Sequence, residues 1–363
     1  MMTVVLGWDI GGANIKASLV EVRDGRVTRL EVRREYFPLW KRGREALPGA
    51  LARIQEELLA GLELSAIGVT MTAELCDIYW CKREGVDHVL DCVEATSRGK
   101  PIYVLDCECS LLSPREARRE YMKVAAANWA ATAWLVSKFF EDCIVVDVGS
   151  TTTSIIPIVG GKCAALGKND LEKLMCGELV YTGALRTNVA AIVDRVPVRG
   201  GYARVSSELF ALSGDVHLIL GNISEEDYTA ETADGRGKSR AECMARLARV
   251  VCADIEMLSE EEILGIAEYV CERQVEQVAD ALRQVLSRLR AEGRGEIPIV
   301  AVGLGAFLAK RAAERAGVES AVDLGELMGS SASLAAPAVG VALMAAEKIA
   351  GPIELGGILG LRR

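Results

Sequence analysis

The hydrophobic and polar positions near the start of the chain alternate in a way that predicts a β-hairpin. Ser18–Val22 and Val27–Val32 alternate on either side of Asp24 and Gly25, a pair typical of tight hairpin turns. Short apolar runs elsewhere predict buried strands, and wider 3.6-residue spacing predicts helices. The further predicted elements are a helix over Ala46–Leu62, strands over Ala66–Met71 and Ile102–Leu105, helices over Glu116–Phe140 and Ser239–Leu258, and a strand, turn and helix over Ile297–Ala316.

A strand–turn–strand unit occurs twice in this pattern. Val4–Lys16 and Ile144–Ile156 each contain an apolar strand, an Asp, a β-branched residue, a Gly, a small residue and a polar return. Asp9 and Asp147 are 138 residues apart, and the glycines that follow each of them keep the same spacing. A repeat at this distance predicts a duplicated fold, with one unit in each half of the chain.

The residues of the repeated turn favour an anion-binding site. Glycine leaves room for a phosphate to approach the backbone, and successive N–H groups of such a turn form an anion nest. An Asp at the strand end cannot bind phosphate itself, but it can bind Mg²⁺ or position a hydroxyl group. We therefore expect the two turns to face each other across a phosphate-binding cleft. Gly303 and Gly305 follow a later strand and could bring a third stretch of backbone to the ligand.

Composition excludes several classes of protein. The net charge of −9 disfavours binding to nucleic acid, which requires clustered Lys and Arg. The longest apolar stretch, Ala335–Ala346, is too short to span a membrane, and the first residues lack the basic start of a secretory signal. The eleven scattered cysteines are typical of reduced thiols. We expect a cytoplasmic protein, and the sequence leaves homo-oligomer formation open.

The two D-x-G turns and the late strand–Gly-x-Gly–helix resemble the superfamily of actin, sugar kinases and Hsp70. This resemblance implies an α/β fold of the actin-like ATPase (ribonuclease H-like) class, duplicated into two domains around a central cleft. We expect the first domain over residues 1–140 and the second over 141–346, with an insertion at 168–259. The tail at 347–363 could return to the first domain.

A more specific resemblance rests on motifs spread over nearly the whole chain. These motifs are GWDIGGANIK (Gly7–Lys16), GVTMTAELCD (Gly68–Asp77), KREGV (Lys82–Val86), AANWAATA (Ala126–Ala133), VVDVGSTTTSIIPI (Val145–Ile158), GELVYTGALRTNV (Gly177–Val189), GDVHLILGNISEEDYT (Gly214–Thr229) and TADGRG (Thr232–Gly237). Through them the chain resembles the hydantoinase A/oxoprolinase-like family linked to tetrahydromethanopterin-dependent one-carbon transfer.

The resemblance implies a transferase of methanofuran biosynthesis. Its substrates would be (5-(aminomethyl)furan-3-yl)methyl diphosphate and γ-glutamyltyramine, and its products an aryl ether and diphosphate. The turns would then hold the diphosphate of the furan substrate, with Mg²⁺ as the expected cofactor and no requirement for ATP. The expected partners are small molecules, a furan diphosphate and a tyramine-derived phenol, with neither nucleic acid nor membrane.

The resemblance also suggests roles for individual residues. Lys16 would neutralise the diphosphate, and Asp9 and Asp147 would hold Mg²⁺. The residues expected to cradle the diphosphate are Gly11, Gly12, Asn14, Gly149, Ser150, Thr151, Thr152, Gly303 and Gly305.

A phenol with a pKa of about 10 requires a base to accept its proton. The candidates for this base are Asp9, Asp147, Glu74 and Asp77, and the sequence leaves the choice open.

Three further residues are candidates for substrate binding. Asn128 and Trp129 lie in a helix rich in small residues, where the ring of Trp129 either packs in the core or forms a wall of an aromatic pocket. Arg186 is a candidate partner for the glutamyl carboxylate, because a guanidinium binds carboxylates with two hydrogen bonds.

Two other functions compete with the transferase. The turns alone favour an ATP-dependent enzyme, either a small-molecule kinase or a hydantoinase-like ATPase. An actin-like scaffold protein is the non-enzymatic alternative.

Overall fold

A computed structural model describes residues 2–355 of the chain. The chain forms two compact units. Within these described residues, unit 1 comprises the chain up to Val145, the segment Ile156–Met175 and the chain from Asp323. Unit 2 comprises Val146–Ile155 and Cys176–Val322.

The strands form two six-stranded sheets and one small hairpin. The strands are β1 (Met2–Ile10), β2 (Asn14–Arg23), β3 (Arg26–Tyr36), β4 (Ala66–Met71), β5 (Ile102–Leu105), β6 (Leu111–Leu112), β7 (Cys143–Val148), β8 (Thr153–Val159), β9 (Lys162–Cys163), β10 (Leu179–Val180), β11 (Arg195–Val198), β12 (Gly201–Arg204), β13 (Ile299–Val302) and β14 (Ala321–Asp323). The first sheet has the order β3-β2-β1-β4-β5-β6, the second has the order β10-β8-β7-β13-β14 with β9 paired to β8, and β11 pairs with β12.

Fifteen helices are present among the described residues, together with two short 3-10 helices at Arg44–Ala46 and Ala73–Leu75. The helices are α1 (Leu39–Arg42), α2 (Leu47–Leu59), α3 (Lys82–Thr96), α4 (Pro114–Arg119), α5 (Tyr121–Val124), α6 (Asn128–Ser137), α7 (Asp170–Met175), α8 (Val189–Ile192), α9 (Ser213–Ile219), α10 (Arg240–Arg249), α11 (Glu260–Ala291), α12 (Ala306–Arg315), α13 (Leu324–Met328), α14 (Ser330–Leu334) and α15 (Ala336–Ala350).

In the first sheet, two kinds of pairing place the ends of β1 and β4 side by side. β1 pairs with β2 in antiparallel and with β4 in parallel register, so that Asp9 lies opposite Lys16 on one side and Thr70 on the other. Because β1 and β4 are parallel, the residues that follow them emerge at the same edge of the sheet. Binding residues of α/β sheets commonly lie at this carboxyl edge.

Helix α15 is buried against this sheet and packs on β1, β2, β4 and α6. The approach is close because glycines stand at the contacts. A Cβ atom on Gly7 would lie 2.1 Å from the carbonyl oxygen of Ala338, and one on Gly68 would lie 2.4 Å from that of Val341. Within the part of the chain that the structure describes, no helix is both long and apolar enough to cross a membrane.

The predicted hairpin is confirmed. Asp24 and Gly25 both have positive φ angles, 49° and 76°, and join β2 to β3. The strands predicted over Ala66–Met71 and Ile102–Leu105 are also present with the same bounds.

The single helix predicted over Glu116–Phe140 is wrong, because the chain breaks there into α4, α5 and α6. Ala125 is extended and pairs with Met71, and Ala126 has a φ of 54°, which no α-helix accommodates. The small side chains of this segment were compatible with a helix and did not reveal the break.

Two further differences concern unit 2. The helix predicted over Ser239–Leu258 ends at Arg249, and the following loop contains Cys252 at a φ of 57°. The longest helix, α11, was not predicted, although Ser259 and Glu262 form the capping box with which it begins.

The compact units differ from the predicted domain boundaries of 1–140 and 141–346. Residues 156–175, which include part of the predicted 168–259 insertion, belong to unit 1. Helix α15 also belongs to unit 1, because it packs on the first sheet. Within the predicted tail, Glu354 pairs with Arg26 beside the β2–β3 turn of unit 1. Residues 356–363 of that tail lie outside the described part of the chain.

Two Gly→Ala substitutions should have opposite effects on stability, because Gly68 lies at the close contact between α15 and β4 and Gly49 does not. Gly68→Ala should lower the free energy of unfolding by roughly 1–3 kcal/mol, because the new methyl group overlaps the backbone of Val341. Gly49→Ala, in α2 with no atom within 4 Å of the new methyl group, should raise it by up to about 1 kcal/mol. Chemical denaturation of both variants measures the two changes, and a neutral Gly68→Ala would show that α15 is not held by this contact.

Candidate functional site

The first turn of the repeat holds a buried ion pair. Asp9, at the end of β1, is 3% exposed, and its Oδ2 lies 3.2 Å from Nζ of Lys16 on β2. Its Oδ1 is buried without a hydrogen-bond partner among residues 2–355. The turn itself is closed by a hydrogen bond of 2.9 Å from the N–H of Gly11 to the carbonyl oxygen of Asn14. Asp9 therefore offers one buried oxygen for a further ligand.

The second turn repeats this backbone geometry in unit 2. The N–H of Gly149 donates to the carbonyl oxygen of Thr152 at 2.9 Å, the bond that matches Gly11 and Asn14 in the first turn. The duplicated turn predicted from the sequence is therefore present in the backbone of both units.

A neighbouring loop supports the second turn. A Cβ atom on Gly183 would lie 2.6 Å from the backbone of Thr151, so the two segments are in close contact. The Arg186 side chain donates to the hydroxyl oxygen of Thr151 at 3.2 Å, and its backbone N–H donates to the carbonyl oxygen of Ser150. This places Arg186 at the turn, next to the residues predicted to bind diphosphate.

A buried polar network fixes that loop. The Nε2 atom of His217 lies 2.8 Å from Oε1 of Gln274, whose amide donates to the hydroxyl of Thr182 and to the carbonyl oxygen of Gly183. Burial lowers the pKa of His217 to about 4, so the imidazole is neutral at physiological pH. The amide of Asn222 is close to the other ring nitrogen, at 3.2 Å. No local sequence pattern predicts this network, because its members are distant in sequence.

Gly303 and Gly305 pack against the end of β7. Gly303 has a φ of 86°, and a Cβ atom there would lie 2.8 Å from Oδ1 of Asp147. The N–H of Gly305 donates to the carbonyl oxygen of Val148 at 2.9 Å. This N–H therefore already has an acceptor within unit 2, and the diphosphate role of the two glycines stays a prediction. The two glycines allow the βα turn to lie beside Asp147.

Glu74 is the most perturbed carboxyl group of unit 1. It lies in the 3-10 helix directly after β4, is 1% exposed, and neither of its oxygens has a hydrogen-bond partner in the part of the chain that the structure describes. Burial raises its pKa to about 7, and the nearby Lys82 only partly opposes this effect. A carboxyl group that titrates near neutrality can accept and release a proton in catalysis.

Helix α3 covers Glu74 with its first turn. A Cβ atom on Gly85 would lie 2.5 Å from Cα of Glu74, so only glycine allows this approach. Lys82, three residues earlier, places Nζ 3.7 Å from Oε1 of Glu74 and 3.2 Å from Oδ2 of Asp170 on α7. Lys82 and Gly85 are part of the KREGV motif, to which the sequence analysis gave no chemical role.

Asp77, the other base candidate of this segment, lies in a different environment. The 3-10 helix ends at Leu75, and Cys76 is extended, so the chain turns away from Glu74. Asp77 is exposed, and the thiol of Cys76 donates to its carboxylate at 3.6 Å. The structure therefore separates two carboxylates that are three residues apart in sequence.

Trp129 is buried with an ammonium group over its ring. Nζ of Lys173 lies 3.8 Å from the ring centroid, a cation–π contact within unit 1. Lys173 is itself 1% exposed, and Gly167 packs directly on its side chain. This arrangement favours packing as the role of Trp129, while Asn128 begins α6 beside it and is half-buried.

The two units thus each bring together part of the predicted site. Unit 1 contains Asp9, Lys16, Gly11, Gly12, Asn14, Glu74, Asp77, Asn128 and Trp129, and unit 2 contains Asp147, Gly149, Ser150, Thr151, Thr152, Arg186, Gly303 and Gly305. The cleft between the two turns stays a prediction, as do the roles assigned to these residues.

The donor atoms bear on the predicted metal. Among residues 2–355, no three His, Cys, Asp or Glu side chains form a group that could hold a metal ion. Mg²⁺, however, keeps several waters and is often bound through only one or two carboxylates and substrate phosphates. The buried Oδ1 of Asp9 fits such a ligand, while the Oδ2 atom is already paired with Lys16.

Comparison with known proteins points to one family. The model of the family described as hydantoinase/oxoprolinase matches residues 65–348. A protein of Methanocaldococcus jannaschii named (4-{4-[2-(gamma-L-glutamylamino)ethyl]phenoxymethyl}furan-2-yl)methanamine synthase is 37% identical over 352 residues, which cover 96% of this chain and 99% of that protein. A protein of the same name from Methanococcus vannielii is 35% identical over 207 residues, 56% of this chain and 90% of that protein.

A solved structure shares the fold. The nucleotide-free structure of acetone carboxylase matches with a TM-score of 0.55 at 12% identity, covering 94% of this chain and 70% of that chain. At this identity the likeness concerns the fold alone. The α/β fold class of the actin-like ATPase type, predicted from the sequence, is confirmed.

The buried carboxyl group of Glu74 makes stability depend on pH. Because folding raises its pKa from 4.5 to about 7, the protonated form is favoured in the folded state. The wild type should therefore lose roughly 3 kcal/mol of this contribution as pH rises across that range. Glu74→Gln cannot titrate, so its unfolding free energy relative to the wild type should increase over the same range.

Urea denaturation at pH values from 4.5 to 8 measures this difference. Glu63→Gln is the matched control, because the Glu63 side chain is 87% exposed beside Lys100. Its difference from the wild type should stay nearly constant above pH 5. A Glu74→Gln difference that is equally independent of pH would contradict the raised pKa.

Proposed function

This chain belongs to the hydantoinase/oxoprolinase family, and we propose that it acts there as a (4-{4-[2-(γ-L-glutamylamino)ethyl]phenoxymethyl}furan-2-yl)methanamine synthase. The observation that carries this proposal is the 37% identity to the M. jannaschii synthase over 96% of the chain.

The proposed reaction is the transfer of a furanylmethyl group. The phenol oxygen of γ-glutamyltyramine forms a bond to the exocyclic CH₂ of the furan substrate. The bond between that carbon and the diphosphate oxygen breaks, and diphosphate leaves with the electron pair. The phenolic proton passes to a base. A furfuryl-type carbon tolerates positive charge, so much of the barrier lies in the departure of diphosphate.

The two turns supply what that departure requires. Backbone N–H groups around Gly12 and Ser150 and the ammonium of Lys16 would stabilise the growing negative charge. Lys16 is held by Asp9, which restricts the positions its ammonium can take. The Arg186 guanidinium next to Thr151 adds a positive charge at the second turn, and this position suits diphosphate better than a separate glutamyl carboxylate.

Glu74 fits the role of base better than Asp9 or Asp77, and Asp147 is assigned to Mg²⁺ in this proposal. Asp9 is engaged by Lys16, and Asp77 is exposed. The pKa of Glu74, about 7, places the carboxyl group between its two protonation states under physiological conditions. In this proposal its carboxylate accepts the phenolic proton as the ether bond forms.

The proposal includes Mg²⁺ as a cofactor. Asp9, through its buried Oδ1, and Asp147 at the corresponding strand end would hold it, directly or through waters. When bound, Mg²⁺ supplies positive charge to the diphosphate oxygens.

The setting of this activity follows from composition. We propose a cytoplasmic enzyme that acts on small molecules without nucleic acid or membrane. The acidic net charge and the eleven cysteines, none in a disulfide among the described residues, support this setting.

The test is the formation of the ether by purified protein with Mg²⁺, the furan diphosphate and γ-glutamyltyramine. We expect diphosphate release that depends on both substrates, a coupled product of the right mass and no consumption of ATP. Lys16→Met and Glu74→Gln should each lower kcat at least about 100-fold, which is typical of losing charge stabilisation or a base.

Lys100→Met is the matched control, because the Lys100 side chain is one-third exposed and pairs with the exposed carboxylate of Glu63. Its activity should equal that of the wild type. Turnover of ATP without ether formation would instead support an ATP-dependent enzyme, the alternative that the two turns also allow.

A further inference from the structure

A single ammonium group, that of Lys82, is shared by the carboxylates of Glu74, the proposed base, and Asp170. Nζ of Lys82 lies 3.2 Å from Oδ2 of Asp170 but 3.7 Å from Oε1 of Glu74. The hydrogen bond of Lys82 goes to Asp170, and Glu74 receives none. The side chains of Lys82 and Asp170 are about one-fifth exposed, at 22% and 23%, whereas that of Glu74 is fully buried. The lysine therefore lies closer to the partner that is better solvated.

The elements that carry these groups are fixed independently of the ion pairs. The first turn of α3 packs on the backbone of Glu74 through Gly85, which sets the position of Lys82. Helix α7, which begins at Asp170, is anchored by Lys173 on the ring of Trp129. Both partners of Lys82 are thus held in place, whereas its ammonium lies at the end of a flexible four-carbon side chain.

We infer that Asp170 is a positioning residue that draws the Lys82 ammonium away from Glu74, so that the Glu74 carboxyl group can hold and release a proton. This inference rests on the proposed function, in which Glu74 is the base. Without Asp170, Lys82 would pair directly with Glu74 and keep it ionised, with little tendency to take a proton.

The electrostatics agree with the geometry. The charged groups facing Glu74 are Lys82 from α3 and Asp170 from α7, and they act in opposite directions. After burial, which is the largest cause, Lys82 lowers the pKa of Glu74 and Asp170 raises it. Burial alone would make Glu74 a weaker acid. Lys82 and Asp170 together adjust its pKa from that starting point.

The test measures the titration of Glu74 without relying on catalysis. Asp170→Asn and Lys82→Met are each prepared with and without Glu74→Gln, and urea denaturation is followed from pH 4.5 to 9. Within each background, the unfolding free energy of the protein that carries Glu74→Gln is subtracted from that of its parent, which yields the midpoint of the Glu74 titration. Relative to wild type, Asp170→Asn should lower this midpoint by about one pH unit or more, and Lys82→Met should raise it.

Asp170→Ala serves as a second variant if Asp170→Asn does not fold. Glu63→Gln is the matched control, because it also removes a carboxylate that pairs with a lysine, Lys100. The control should leave the midpoint unchanged. Equal midpoints in the wild type and in both Asp170 variants would overturn the inference, as would midpoints that move in the same direction for Asp170→Asn and Lys82→Met.

The activity of the same variants separates this inference from the proposed function. The acidic limb of kcat/KM against pH should move with the measured midpoint, a response that a merely structural residue would not produce. If the wild type forms no ether while the midpoints move as expected, the positioning role stands and the proposed function fails. If ether forms but its pH profile does not follow the midpoints, Glu74 is not the base, and the inference that Asp170 positions a lysine beside the base is overturned.

Discussion

The close approach of α15 to the first sheet is the contact on which the rest of unit 1 depends. Without side chains at Gly7 and Gly68, the helix backbone lies directly on β1 and β4. Gly340 on the other face of the helix brings it equally close to α6, where a Cβ atom would lie 2.4 Å from the carbonyl oxygen of Ala131. The interior is close-packed, so these contacts leave the strands little freedom to shift.

Because those strands have little freedom to shift, the functional groups at their ends are fixed in position. β1 ends with Asp9 and Ile10, and β4 is followed by the 3-10 helix that contains Glu74. Trp129 lies in the first turn of α6. Helix α15 therefore holds the frame in which the Asp9–Lys16 ion pair and the buried carboxyl group of Glu74 are placed. Groups mounted on strand ends in this way are positioned more accurately than groups on free loops.

Sequence reasoning succeeded where the determining interactions are local. The Asp24-Gly25 hairpin depends on positive φ angles that these residues adopt readily, and the duplicated turn depends on its own glycines. It failed where distant residues decide. The chain breaks near Ala126 because Ala125 pairs with Met71, and no local pattern records that pairing. The motif KREGV contains Lys82, but its partner Asp170 lies 88 residues away. The different burial of Glu74 and Asp77 likewise follows from the position of α3, which only the tertiary structure defines.

The two copies of the turn share the same backbone geometry but differ in the charge of one strand residue. The residue in unit 2 that corresponds to Lys16, at the same spacing of 138 residues, is Ser154. The closing hydrogen bond is nevertheless the same in both copies. The two hairpins therefore share their main-chain geometry and differ in the charge carried at this strand position. Because the closing hydrogen bond joins backbone atoms only, the side chain at this position can differ without any change in the turn.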